Sequence, residues 1–540
     1  MLDKQFVVTL HTPILGYAKG FLTMHIKKIK NRSGSISVIV GVKNRGKFKR
    51  LATMGVSSDE DEVSVLVQRG HAWIAEQQER TNPTIDFDGS KESHRRAEAA
   101  MEDDIFDRIE NVQLNGCELI LDRVFDLVGF NQIRDKVFRQ LVLSRLSYPA
   151  SKAATVEYLK NHFDDDVDLS KIYRYLDKLN DRHKYLVQDI SVRHTMEVLG
   201  GHIGVMFYDV TTLYFETDHE DELRRTGFSK EGRHSNPQII LGLLVSLDGY
   251  PLAYCIHEGS KYEGHTMLPV INEFVRRYDL GGFIVVADSG LMNSANIAEL
   301  EHEGYKYIIG ARIKNEPEDI RRQILSLGKV SGRMHEIDKG RGRRLLIGYS
   351  DDRARKDAHN RDKGVKKLEK KFRTGQLTKE NINRRGYNKF LDMTGNTRIE
   401  INRDRIIQDA QWDGLKGYLT NTDIPTDEVF TAYHNLWNVE KAFRIAKSKI
   451  EIRPMFHFTR RRIEAHICIC FVALKLYKEL ERLLKRAHIG MSIDKVLDMA
   501  KSVTTITIRM PNGKKVTRTM PMRRHQRIAP LFTDEFWGMQ

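Results

Sequence analysis

Four cysteines in 540 residues, at 117, 255, 468 and 470, are too few and too scattered for a disulfide framework. Cys468 and Cys470 stand two apart in a stretch of helical character, so they point in different directions and suit a zinc site poorly. They are expected to be small core residues in a reducing compartment. Long apolar runs are missing too: the most apolar segment, Ile467 to Leu474, is 8 residues long, where a membrane span needs roughly 20. Met1-Leu2-Asp3-Lys4 lacks the charged-then-apolar pattern of a secretory leader. A cytosolic protein with no membrane partner is the expectation. His257, His265, His457 and His466 lack metal-ligand spacing and are expected at the surface or as satisfied polar residues. Gly340-Arg341-Gly342 lacks the Lys-Ser/Thr ending of a phosphate loop, so ATP use is not indicated.

What is present describes a large globular chain. Hydrophobic residues make up 40% and charged residues 30%, which separates it from disordered chains. Its length exceeds one ordinary core, so three or four structural units are expected. With 88 basic against 73 acidic residues the net charge is +15, an excess that favours an acidic partner such as nucleic acid.

Along the chain, residues 5–55 alternate apolar and polar residues between basic turns, which predicts a small β-sheet with a basic surface. A helix is predicted over 62–76 and a polar linker over 77–98. From Leu119 to Leu186 the period is helical; Leu121, Phe125 and Val128 share one face, and Ser151 offers a helix cap. Helices with basic faces, as at Lys171, Arg174 and Lys178, suit either a DNA-binding module or a structural helical domain. The basic stretch Arg353 to Arg373 holds ten basic and three acidic residues and is predicted helical, between strands at Arg344–Tyr349 and Arg398–Ile407. At the other end, Thr505 to Met510 and Lys514 to Met520 flank Asn512-Gly513 as a basic hairpin, expected to touch DNA or a second subunit.

Three acidic residues organise this reading. Gly204-Val205-Met206-Phe207-Tyr208-Asp209 reads as a buried strand delivering a carboxylate to its C-terminal edge, where open α/β sheets place their chemistry. Gly282 to Asp288 repeats the pattern. Tyr433 to Ile450 reads as one helix: Tyr433, Trp437, Glu440, Arg444 and Lys447 fall at spacings of 4, 3, 4 and 3 on one stripe, beside an apolar stripe of Leu436, Val439, Phe443 and Ile450. The order of strand, hairpin, helix, strand, helix, strand between residues 204 and 310 resembles the ribonuclease-H-like plan.

With these blocks the chain resembles a DDE transposase of a bacterial insertion sequence, in the group with the signature Tyr-x2-Arg-x3-Glu-x6-Lys and an insertion in a ribonuclease-H-like domain. Here the signature reads Tyr433-x2-Leu436-x3-Glu440-x6-Lys447. Leu436 is the departure, and implies a lost or relocated phosphate contact. Tyr208-Asp209-Val210-Thr211-Thr212, Ala287-Asp288-Ser289-Gly290, Arg453-Pro454 to Ala465-His466 and Arg145 to Lys152 are similar to family stretches as well.

The resemblance implies an α/β fold whose mixed-sheet catalytic domain spans 201–312 and 415–485, interrupted by a β-rich insertion at 313–414. A small basic β-region with a linker (1–115) and a helical DNA-binding domain (116–200) precede it; a basic hairpin and tail (486–540) follow. It implies catalysis by Asp209, Asp288 and Glu440, holding two Mg²⁺ ions, with Mn²⁺ the alternative. Hard divalent cations of this kind take oxygen ligands. It further implies phosphate contacts from Tyr433 and Lys447, with help from Arg444. For Trp437, stacking on a flipped base and packing at the core edge both fit, the latter favoured. Thr211 and Thr212 stand where they would hydrogen-bond DNA or orient Asp209. The implied partners are double-stranded DNA, as element ends and target, and a second copy when assembled on DNA, in a bacterial cytoplasm at the nucleoid. An inactive DNA-binding descendant and a structure-specific nuclease of the same fold are the competing readings.

Overall fold

A computed structural model of the chain describes residues 24–44, 47–81, 106–179, 181–228, 232–291, 293–377, 383, 386–394, 398–510 and 512–538. The chain divides into two compact units, residues 1–108 and 109–540. The strands expected over residues 5–23 and most of the expected linker lie outside the described residues.

In the first unit, β1 (Met24–Lys30), β2 (Ile36–Asn44) and β3 (Lys47–Ser57) form an antiparallel sheet in that order. Ile26, Val38 and Val40 bury one face against Val63 of the helix Glu60–Thr81. Asp59 Oδ1 starts that helix by accepting from the amides of Asp61 and Glu62 at 2.9 and 3.0 Å. The helix runs past 76 to Thr81, through residues read as linker, because nothing in Gln77–Thr81 breaks it.

The second unit opens with β4 (Ile109–Leu114), followed by the helices Gly116–Val128, Lys136–Ser147, Lys152–Phe163, Leu169–Lys178 and Asp181–Val198. Asp135, Ser151 and Asp168 cap three of them through their side chains. Their apolar faces, Leu121, Phe125 and Val128 among them, pack around a long helix, Arg460–Arg486.

The centre is an eight-stranded mixed sheet. Its strands are β5 (Val205–Tyr214), β6 (Gln238–Ser246), β7 (Pro251–Glu258), β8 (Ile284–Ala287), β9 (Lys306–Ala311), β10 (Met334–Asp338), β11 (Arg344–Tyr349) and, after a two-stranded ribbon of β12 (Leu391–Thr394) and β13 (Arg398–Ile401), β14 (Leu415–Thr420). Their order is β10-β11-β14-β9-β8-β5-β6-β7. Only β5, β8 and β9 run parallel to one another; the short hairpins and returns make the other pairs antiparallel.

The stretch Arg398–Ile407, expected as one strand, stops being one at Ile401. Asn402 Oδ1 accepts from the Arg405 amide at 2.9 Å and starts the helix Arg403–Ala410 instead. The basic helix Asp351–Arg373 is capped by Ser350. β10 and β11 continue the main sheet through β14. The terminal hairpin, β15 (Thr504–Arg509) and β16 (Lys515–Met520), turns at Gly513 (φ +77°) and gains β4 as a third strand, Thr504 pairing with Leu114.

Candidate active site

The period-2 rule of a strand decides which way each carboxylate points. Along β5, Phe207 and Leu213 bury in the same cluster as Val439 and Phe443, whereas Met206, Tyr208 and Val210 bury on the opposite face with Leu268 and Ile271. Asp209 therefore shares the face of Phe207, towards the helix Trp437–Ser448. On β8, Val286 joins the first cluster, and Val285 and Ala287 the second. Asp288 follows the same parity and faces the same way. The two strands pair in parallel with Tyr208 opposite Ala287, so the two aspartates stand at the same level, Asp209 within β5 and Asp288 just past the end of β8, roughly 5 Å apart along the pairing direction. Asp209 Oδ1 accepts from the Val210 amide at 2.8 Å. Arg312 donates to the Ser289 carbonyl at 2.8 Å and fixes the loop behind Asp288.

The single helix expected over Tyr433–Ile450 is two helices, Thr426–His434 and Trp437–Ser448. Asn435 and Leu436 join them with the backbone still in the helical region, but the Leu436 and Val439 amides bond three residues back, to Tyr433 and Leu436. This tightened turn bends the stripe. The apolar half of the pattern holds: Leu436, Val439, Phe443 and Ile450 are all buried. Leu436 thus belongs to the core, where a guanidinium would lack water.

Tyr433, also buried, donates its phenol to Asp288 Oδ1 at 3.0 Å. Gly310 on β9 makes room for it. A Cβ there would lie 2.5 Å from the Tyr433 oxygen, closer than any side chain tolerates. Burial and the neighbouring Asp288 push the Tyr433 phenol well above its usual range, so it stays a donor.

The polar half of the pattern stays outward. Glu440 and Arg444 are exposed, Lys447 is half-buried and Asp209 also half-buried, while Asp288 is exposed at its strand end. Trp437 is 45% exposed, with the Lys441 ammonium 5.6 Å from its ring; this corrects the favoured packing at a core edge. Thr211 is half-buried and Thr212 buried.

One cation escaped the sequence reading. Lys416 on β14 holds its ammonium 4.4 Å from the centre of the Tyr433 ring and 5.4 Å from that of Tyr418. Burial and the nearby Arg353 lower its pKa, while Asp288 and Glu440 counteract them. Lys416 therefore stands within electrostatic reach of both carboxylates, and Arg353 brings the first turn of the basic helix to the same place. The available signal was a lone lysine inside the strand Leu415-Lys416-Gly417-Tyr418-Leu419; an inward cation at a sheet position needs an acidic neighbour.

Among the described residues, no three His, Cys, Asp or Glu side chains form a group that could hold a metal ion. Asp209 and Asp288 share a level and a face. Glu440 shares the face and the electrostatic neighbourhood, without closing a three-ligand cluster. The four cysteines are buried free thiols, and among the described residues no helix is long and apolar enough to cross a membrane. His457 and His466, expected at the surface or satisfied, are buried, and His466 Nδ1 has no hydrogen-bond partner.

The family described as the transposase DDE domain matches residues 201–476, which is 276 of the 540 residues. No curated protein matches the chain. A solved structure similar to it is the synaptic complex of the piggyBac transposase with hairpin DNA. It is 8% identical, with a TM-score of 0.38, over 67% of this chain and 68% of that one. A likeness so distant assigns no function.

Proposed function

Because the chain belongs to the transposase DDE domain family, we propose that it binds the ends of its own insertion sequence and catalyses metal-dependent DNA cleavage and strand transfer, with Asp209, Asp288 and Glu440 as the catalytic carboxylates. The observation that carries this reading is the placement of Asp209 and Asp288 at one level of the adjacent parallel strands β5 and β8, on the face covered by the helix of Glu440. The order β7-β6-β5-β8-β9, a hairpin folded back on β5 and two parallel crossovers beyond it, supports a ribonuclease-H-like plan. Residues 313–414 then serve as its insertion.

The donor set fits hard divalent cations, being carboxylate oxygen throughout. Asp209, Asp288 and Glu440 would hold them, as two Mg²⁺ or Mn²⁺. Such a pair supplies activation of the attacking oxygen and stabilisation of the leaving one. The bend at Asn435–Leu436 leaves Tyr433 on one helix and Glu440 on the next, so Glu440 closes on the aspartates while Tyr433 keeps Asp288 oriented. Lys416 balances the negative site before metal and DNA arrive. Lys447 and Arg444, further along the helix of Glu440, hold phosphates flanking the reacting bond, and exposed Trp437 stacks on an unpaired base. Arg353 and the basic helix it begins, the helices of residues 116–200 and the basic terminal hairpin extend the DNA surface. Two copies assemble on DNA to join two ends.

The test uses DNA carrying the sequences that flank the coding region, which should include terminal inverted repeats. Asp209→Asn and Asp288→Asn should each lower cleavage by on the order of a thousandfold, about 4 kcal/mol of barrier, with DNA binding retained. Undiminished cleavage in either variant would sink the site.

A further inference from the structure

A second polar site is lined in part by the loop that follows the helix Trp437–Ser448. Residues 451–457, the N-terminus of the helix Lys152–Phe163 and the start of the helix Arg460–Arg486 enclose a cavity of about 190 Å³. Arg145, Lys152, Tyr173, His457 and His466 line it. Arg145 and Lys152 are each 8% exposed, His457 7% and His466 2%. Two of these side chains are incompletely paired: Arg145 donates to the Ala150 carbonyl at 2.9 Å and meets His466 Nε2 at 3.4 Å, which also lies 3.2 Å from the Ile452 carbonyl, yet among the described residues neither Arg145 Nε nor His466 Nδ1 has a partner. The single carboxylate on the lining, Glu451, is exposed at the rim. The free amides at the start of the helix Lys152–Phe163, whose cap Ser151 also lines the cavity, add positive potential.

Such a cluster is costly as it stands. Two cations with no buried counter-ion among the described residues of the lining repel each other out of water, and the strain shows in Lys152, whose pKa falls to about 8 through burial and then through Arg145. Burial and the same cations push His457 down to about 4 and His466 well below its usual value. What completes the site is a compact anion with several acceptors. Among the described residues of the lining no buried carboxylate is present, and the donor set of guanidinium, ammonium and helix amides matches phosphate oxygens.

We propose that this cavity is a phosphate-binding site, in which Arg145, Lys152 and the amides at the start of the helix Lys152–Phe163 hold the phosphate group of a nucleic-acid strand end or unpaired nucleotide, with Tyr173 and Phe456 flanking it. The chain itself joins the cavity to the reaction centre. The helix that carries Glu440 runs directly into its lining, and Arg453, in that loop, sits 5.4 Å from the ring of Tyr214 at the end of β5. The nucleic-acid source rests on the function proposed above; the phosphate chemistry does not.

The experiment takes the full chain and measures thermal unfolding in inorganic phosphate against chloride at equal ionic strength, then binding of a short single strand with a 5′-phosphate against the same strand with a 5′-hydroxyl. Phosphate should raise the midpoint, and the phosphorylated strand should bind at least about tenfold tighter, the worth of a charge-assisted contact. Lys152→Met should abolish both effects, and Lys152→Arg should keep them. If that methionine variant does not fold, protection of Lys152 in the wild-type chain against an amine-directed acylating reagent reads the same contact by mass spectrometry. A phosphate effect without strand discrimination assigns the site to a free phosphate and keeps the chemistry. No phosphate effect, or an equal effect in Lys152→Met, overturns the proposal. Asp209→Asn should leave every one of these readings unchanged, so loss of the cleavage hypothesis and loss of this site are separate results.

Discussion

Two charge clusters sit along one helix, Arg460–Arg486, and differ in one respect. Near its C-terminal half, Glu479 is fully buried, yet each oxygen is answered: Tyr250 donates at 2.6 Å, and Arg482 at 2.6 and 3.0 Å, with His194 3.6 Å away. Burial would raise its pKa, but bonds from His194, Arg482 and Tyr250 overcome that and hold it well below the usual carboxylate range. Lys475, equally buried, donates to the Ser191 carbonyl and the Thr195 hydroxyl at 3.0 and 2.6 Å. Near the N-terminal half, the cluster of Arg145, Lys152, His457 and His466 has cations and, among the described residues of its lining, no buried anion. In the first cluster the buried carboxylate and the buried ammonium answer or are answered by named partners, with His194 Nδ1 alone left over among its named groups, and the cluster serves to fasten the helix to its neighbours. The second is completed only from outside. Balance, rather than burial, separates a structural network from a binding site.

The comparison breaks most visibly when one member is removed from each. Glu479→Ala strands Arg482, His194 and Tyr250 and should cost about 3–5 kcal/mol, seen as a lower denaturant midpoint. Lys152→Met should act in the opposite direction, stabilising the chain in phosphate-free buffer by about 2 kcal/mol as a repelled buried cation disappears. Destabilisation by both would erase the distinction.

Acid sharpens the contrast further. His457 takes a proton at about 4 when folded and at about 6.5 when unfolded. Stability is therefore full above pH 6.5 and lost as pH falls towards 4, by about 1–1.5 kcal/mol at pH 5.5. The groups facing it are Lys152, Arg145 and Arg462, which oppose its protonation, and Asp177, which favours it and is held by Arg462 at 2.7 Å. His457→Asn should remove that part of the acid slope in a urea series. Smallest is Tyr433→Phe. It removes the bond to Asp288 without opening a cavity and should slow cleavage several-fold, about 1 kcal/mol, with binding of DNA unchanged.

Much of the site was legible because its signals are local. Apolar runs ending at Asp209 and Asp288 read as strands, and β5 and β8 are there, but only Asp288 follows a strand end; β5 runs on past Asp209 to Tyr214, because Val210 to Tyr214 keep pairing with β6. The apolar half of the Tyr433–Ile450 wheel is buried as its period demands. What a helical wheel assumes is continuity, and the turn at Asn435–Leu436 denies it. Lys416 was invisible because a lysine in a strand says nothing of which carboxylates lie across the sheet. His466 was read as a surface or satisfied residue because neither its burial nor its neighbour Arg145, 321 residues earlier, shows in a local pattern.

The sequence by itself determined the local vocabulary: the cap at Ser151, the Asn512-Gly513 hairpin, the alternation that gives Phe207 and Asp209 one face of β5, and the order of the three acidic blocks. These depend on a few neighbouring residues and on backbone geometry. Only the tertiary structure decided that β4 pairs with β15 across 390 residues of chain, that Tyr433 reaches Asp288 over Gly310, and that one buried cluster is neutralised while the other is not. Those outcomes depend on which distant groups share a low-dielectric space, and the balance of charge there is a property of three dimensions.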